Sequence, residues 1–293
     1  MWLAFAFLSA TLLGFYDVCK KHALDTNAVI PVLFLNTLFC SMIFVPLLPQ
    51  APFGRWEVQR FIVLKSCIVL SSWALGYCGI KHLPITLVGP INATRPVMVL
   101  LGALIIFGER LNAYQWAGVL LAVASFFMLS RSGKREGIDF RHNRWIYCIV
   151  GAAILGAVSG LYDKYLMASA QNGGAGLAPL TVQCWYNFYQ AAMMGCVLLF
   201  FWWPRRHSQT PFRWKWSIPL ISIFLSAADF VYFYALSMDG SLVSVVSMVR
   251  RGSVLVSFLV GAFVFREKNL RSKAIDLLLV LLGMVFLFIG SSR

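Results

Sequence analysis

The stretch GSLVSVVSMVRRGSVLVSFLVGAFVF, Gly240 to Phe265, decides how the chain is read. It is apolar for long enough to cross a bilayer, which takes about 20 residues. Near its middle, however, stand Arg250 and Arg251. An arginine at the centre of a membrane helix costs roughly 2.5–3.5 kcal/mol on insertion scales and is seldom left facing lipid. Arginine also keeps its proton, its pKa lying above about 12. These two side chains therefore call for a carboxylate, water or a ligand.

The rest of the chain agrees with a membrane setting. Of its 293 residues, 60% are apolar and 12% charged, with a mean hydropathy of +0.76. A soluble domain carries about 25% charge, and one water-soluble core cannot take up so much apolar side chain. Apolar segments run at about 2–19, 28–48, 61–80, 84–107 and 113–130. Five more follow at about 145–168, 178–203, 216–237, 241–265 and 273–290. The expected fold is all-α and integral to the membrane, with ten transmembrane helices. The opening MWLAFAFLSATLLGFYDVC lacks a basic start and an Ala-x-Ala cleavage site, and reads as the first span.

The two sets of five echo each other. GFYD (Gly14 to Asp17) in span 1 is matched by GLYD (Gly160 to Asp163) in span 6, and Pro31 and Pro179 open spans 2 and 7. Spans 4 and 9 end in FGER (Phe107 to Arg110) and FREK (Phe265 to Lys268). The halves are therefore read as repeats, 1–130 and 145–293, joined by the basic linker 131–144. An odd number of helices per repeat sends the second copy into the membrane from the opposite side. Inverted repeats are a transporter arrangement, with the substrate near midplane between them and alternating access by rocking.

At this point the chain resembles the drug/metabolite transporter superfamily, in particular its EamA-like ten-helix branch. The resemblance rests on the five-plus-five layout, on Gly108 and Glu109 closing span 4, and on Pro96 thirteen residues before that glutamate. It implies a central cavity lined by spans 1–4 and 6–9, with spans 5 and 10 peripheral, and a small metabolite as cargo. The pattern departs from the family at Arg95, where an acidic residue is usual, and at Val254, where the second half would carry the matching proline.

Lys and Arg divide unevenly between the loops. Loops 1, 3, 5, 7 and 9 hold two, one, five, four and four, sixteen in all. The even loops and the C-terminus hold five: Arg55, Arg60, Lys65 at the edge of span 3, Arg110 and Arg293. The positive-inside rule then puts the odd loops in the cytoplasm and both termini outside, in a bacterial inner membrane. The net charge of +14 is spent on orientation and lipid headgroups, and nucleic acid is not an expected partner. No cofactor or metal is expected. The seven cysteines form no Cys-x-x-Cys pair, and the four histidines lack zinc-ligand spacing.

Four ionisable residues fall close to midplane: Arg95 in span 4, Asp229 in span 8, and Arg250 with Arg251 in span 9. Ser247 stacks on Arg251 at helical spacing, and Asn92 shares a face with Arg95. Three arginines against one aspartate leave two positive charges, and a guanidinium suits a phosphate or carboxylate. Arg95, Arg250, Arg251, Asp229, Asn92 and Ser247 are thus the candidate substrate residues, with Asn187 and Trp185 of an aromatic cluster on span 7. The opposing reading pairs Arg95 or Arg250 with Asp229 to pin helices together. Tyr16-Asp17 and Tyr162-Asp163, with Lys20 and Lys164 close by, are candidate gating or proton-linked residues, or simple pairs with their lysines. A transporter of a small, anionic metabolite is the leading expectation. An amino-acid or drug exporter with structural arginines is the alternative. A membrane enzyme is remote, because the loops offer only isolated acids such as Glu57, Glu136 and Asp139.

Overall fold

The computed structural model describes residues 2–95, 97–98, 112–134, 142–167, 175–205, 211–237, 249–250, 252–265 and 270–291. These are helical, with no strand among them. The α-helices are α1 (Trp2–Leu24), α2 (Val29–Phe44), α3 (Trp56–His82), α4 (Ile85–Ala93) and α5 (Ala113–Lys134). The second half supplies α6 (Arg144–Met167), α7 (Pro179–Val197), α8 (Ser217–Ser237), α9 (Ser253–Val264) and α10 (Leu270–Ser291). Four stretches of the described residues are long and apolar enough to cross a membrane: Val29–Gln50, Trp56–His82, Arg144–Asp163 and Leu180–Trp202.

Local chemistry places several helix ends. Pro179 occupies the first turn of α7, where its missing N–H costs nothing. Glu57 lies in the first turn of α3, with Lys81 and His82 in its last, each the right sign for the helix dipole. Gly54 turns the chain into α3 at φ +67°, a conformation that favours glycine.

Eight helices close into a ring in the order α1, α8, α2, α7, α3, α6, α4, α9 and back to α1. Each packs against two helices from the other half of the chain. Exchanging the halves, α1 for α6 and so on, returns the same ring. α5 and α10 pack on each other and reach the ring through α4, and α10 also packs on Val254 and Phe258 of α9. One asymmetry remains. α1, α2, α3 and α4 also touch among themselves, whereas among the described residues the second half shows no comparable contact. Part of the tie is Lys21, whose Nζ donates to the carbonyls of Ile80 and Leu83, both at 2.7 Å, where α3 ends.

The chain exposes large apolar side chains and buries polar ones among an apolar core. Phe263 is 82% exposed and Phe200 74%, while Asn36, Gln59, Ser66, Gln190 and Ser222 are fully buried. Water cannot compete at this depth, so buried hydroxyls bond to the carbonyls of neighbouring helices. Ser9 of α1 donates to Ala228 O at 2.7 Å, and Ser72 of α3 to Ala152 O at 2.8 Å. Ser222 of α8 reaches Asn36 on α2, and Ser41 of α2 reaches Asn187 O on α7.

The α3–α6 seam needs glycine. A Cβ on Gly79 would overlap the Ile149 side chain, whereas one on Gly76 would sit 3.7 Å from the Ala152 methyl. Gly79→Ala is expected to cost about 1–3 kcal/mol through overpacking and Gly76→Ala to be near neutral. Thermal unfolding in detergent of the two variants side by side checks the difference.

Candidate functional site

The site is built where two helices of the ring break. α4 ends at Ala93 and turns at Thr94, whose N–H bonds Ile91 O at 3.2 Å, before helical backbone resumes at Arg95. In the second half, Val249 and Arg250 are helical, Gly252 turns with its N–H on Val249 O at 2.9 Å, and α9 then begins. Aligning FGER with FREK puts Thr94 opposite Gly252, so the breaks fall at corresponding positions. In the first half the cause is Pro96, which cannot donate to the carbonyl of Asn92. A broken helix frees backbone groups and a side-chain position at depth, and is tolerated only where protein or a cavity satisfies them.

Arg95 sits just past the first break. Its Nη2 donates to Asn92 Oδ1 at 3.2 Å, and its Nε is buried without a partner. The guanidinium lies flat against Gly156 of α6, where a Cβ would come within 2.9 Å of Cζ. Asp17 and Tyr16 of α1 are the groups whose charges act on it, but neither is in contact.

Arg250 is bonded to Asp229 of α8, with its guanidinium 4.3 Å from the centre of the Tyr232 ring. The other oxygen of Asp229 accepts from Gln183 of α7 at 3.4 Å, and the same amide reaches the Tyr186 hydroxyl at 3.1 Å. The Tyr186 ring lies 5.2 Å from Nζ of Lys65, which is paired with Asp163 of α6. Tyr186 therefore stands between two ion pairs. A third, Lys20 with Asp17 at 2.6 Å, is enclosed by the rings of Tyr16 and Tyr77 at 4.2 and 5.4 Å from the ammonium.

These positions change the charge count read from the sequence. Lys65 was placed at the edge of a span and assigned to an even loop. It is instead the tenth residue of the long helix α3 and is buried, so the even-side count falls to four. Asp163 pairs with this lysine, from a different helix; the side chain of the adjacent Lys164 lies outside the described residues. Arg250 is not an open cation but Asp229's partner. Among the described residues of the polar core, Lys20, Lys65, Arg95 and Arg250 face Asp17, Asp163 and Asp229. Among these described residues the excess is one positive charge, on Arg95; Arg251, the third arginine of the count read from the sequence, lies outside them.

Of the other expected residues, Asn187 is buried at the α2–α7 seam with its side-chain amide nitrogen unpartnered. Trp185 is engaged elsewhere: its Nε1 donates to Ala51 O at 3.0 Å and its ring meets Phe53 edge-on at 4.9 Å, before α3. Tyr162 donates to Phe61 O at 3.3 Å beside the Lys65–Asp163 pair. Arg251 and Ser247 lie outside the described residues, as do Gly108 and Glu109. Sequence reasoning missed Lys65, Gln183 and Tyr186. The lysine could have been found, since it interrupts the apolar run IVLKSCIVL. No described group of three His, Cys, Asp or Glu is placed to hold a metal.

Breaking a buried pair by removing one partner costs about 3–5 kcal/mol, because a bare charge is left behind. Asp163→Asn is expected to fall in that range and Asp163→Asn with Lys65→Met to recover most of the loss. Unfolding midpoints of the single, the reciprocal single and the double variant measure it.

Comparison with known proteins bears on what this site serves. A solved crystal structure 17% identical to this chain superposes with a TM-score of 0.64, covering 98% of this chain and 96% of that one, a likeness of fold. No curated protein matches. The helical, membrane-spanning character agrees with the remaining finding, a family of transporters and not of enzymes: residues 1–131 match the EamA-like transporter family, within the drug/metabolite transporter superfamily.

Proposed function

We propose that the protein moves a small metabolite bearing an anionic group, phosphate or carboxylate, by alternating access between two inverted five-helix repeats. The observation that carries this reading is Arg95. It is a permanently charged guanidinium at a helix break inside the ring, without a carboxylate among the described residues and with a donor unused. A partly desolvated site with one surplus positive charge favours an anion. Arg95 and Asn92 would take the anionic group. The Asp229–Arg250 pair, continued by Arg251 and Ser247, would shape the rest of the site. Asn187 and Tyr186 would line it, and Trp185 would hold the neighbouring loop.

The repeats are taken as 1–130 and 145–293, with 131–144 as linker, in a bacterial inner membrane. The ring unchanged on exchange of halves, and the paired breaks at Thr94 and Gly252, support the duplication. Asp17 with Tyr16, and Asp163 with Tyr162, would act at the two ends as gating or proton-linked groups. The contacts within α1–α4, absent from the described second half, support a state closed where loops 1 and 3 lie.

A second reading has its own support. Because Arg250 is already satisfied by Asp229, the arginines could serve structure, and the cargo would then be a neutral amino acid or drug-like compound. A thermal-unfolding panel on purified protein separates the two. It compares phosphate esters, nucleotide sugars, carboxylates, neutral amino acids and organic cations at millimolar levels. A ligand at about 100 times its Kd adds about 2.7 kcal/mol. Stabilisation is expected from one anionic class, lost in Arg95→Gln and partly kept in Arg95→Lys. Stabilisation by neutral or cationic compounds, equal in wild type and Arg95→Gln, overturns the anion reading.

A further inference from the structure

Away from the polar core, the ring carries a groove of about 640 Å³ between α2, α3 and the end of α7. Its lining includes Ile30 and Leu33 of α2, Ala74, Cys78 and Lys81 of α3, and Val197 of α7. The position opens toward lipid, since Ser71 on its α3 wall is exposed. It exists partly because α7 does not continue as a regular helix: Leu198–Trp202 widen into a π-helical turn. That turn carries Trp202, another lining residue.

The α3 wall has a direction. Leu70, Ala74, Cys78 and Lys81 recur at intervals of four, four and three, which keeps them on one helical face. From Leu70 to Lys81 the rise is about 16 Å at ~1.5 Å per residue. One leaflet of the hydrocarbon is about 15 Å deep, half of ~30 Å. The trench is thus apolar for the depth of a leaflet and ends in a cation. A second cation lies near that end: the guanidinium of Arg144 sits 4.5 Å over the Trp145 indole, on which the His82 ring stacks at 3.7 Å.

We infer that this groove is a binding site for an anionic phospholipid of the leaflet on the side of loops 1 and 3. One acyl chain lies along α3, and the phosphate meets Lys81. The occupant follows from the match of trench length to leaflet depth and from the sign of the charge at its mouth. The site is independent of the cargo proposed for the core, as none of the core ion-pair residues lines it. Bound lipid would touch the same final turn of α3 whose carbonyls Lys21 ties down.

The test is native mass spectrometry of the full chain after reconstitution in equimolar phosphatidylglycerol and phosphatidylcholine. Wild type is expected to retain phosphatidylglycerol about fivefold over phosphatidylcholine, the preference one surface lysine supplies. Lys81→Gln is expected to keep lipid but lose the preference. Ala74→Trp, which fills the trench, is expected to lose both. If Ala74→Trp does not fold, Cys78→Phe blocks the same wall. No preference in wild type, a preference unchanged in Lys81→Gln, or undiminished retention in a folded trench-filled variant overturns the site and leaves only annular lipid.

Discussion

A charge inside an apolar ring has to be answered by another charge, and that constraint organises the core of this protein. The penalty for an ion away from water is several kcal/mol, and only a close opposite charge with further hydrogen bonds offsets it. Lys65 is answered by Asp163 across α3 and α6, and Arg250 by Asp229 across α8 and α9's entry. Lys20 and Asp17 answer each other one turn apart on α1, under two tyrosine rings. The Lys65–Asp163 pair joins two neighbours in the ring, whereas the Arg250–Asp229 pair links α8 to the entry of α9, which α1 separates in the ring. Arg95 alone of these cations has an amide, not a carboxylate, for its partner. What the fold leaves unanswered is what a ligand can answer.

The same scarcity of water explains the short polar side chains. Association of helices in lipid gains little from apolar burial, and close packing and interhelical hydrogen bonds take over. Ser9, Ser41, Ser72 and Ser222 each bond to a partner helix, and each such helix pair joins the two halves. The alternation of halves around the ring thus puts these bonds between the halves rather than within them.

Much of this was legible in the residues. Apolar runs of bilayer length foreshadowed the helices, and the repeated GFYD/GLYD and FGER/FREK motifs suggested a duplication with which the exchange of halves in the ring agrees. Partnership was legible in part: Arg250 with Asp229 and Lys20 with Asp17 were among the readings, but the partner of Asp163 was not. Asp163 was read beside its neighbour Lys164, yet its partner is Lys65, 98 residues away, and the ring order that joins α3 to α6 is not written in either segment. Lys65 was taken for a boundary residue because span edges are drawn by hydropathy, and a lysine looks like an edge. Trp185 stands among the candidate substrate residues because it belongs to the aromatic cluster on span 7. Its N–H had already been claimed by a loop carbonyl.

A departure from exchange symmetry lies where α3 ends. The last carbonyls of a helix have no partner within it and must be met by water, a cap or a cation. Lys21 meets the carbonyls of Ile80 and Leu83 from α1, so that ammonium is part of what ties the first half together at this end. Withdrawing it leaves acceptors that apolar neighbours cannot satisfy, and water must enter for the parted state to persist. Opening of that end and its hydration are then a single event. In an alternating-access cycle this sets a useful condition: the end cannot part dry, and a route wide enough to wet the α3 terminus is already most of a route for a small polar solute.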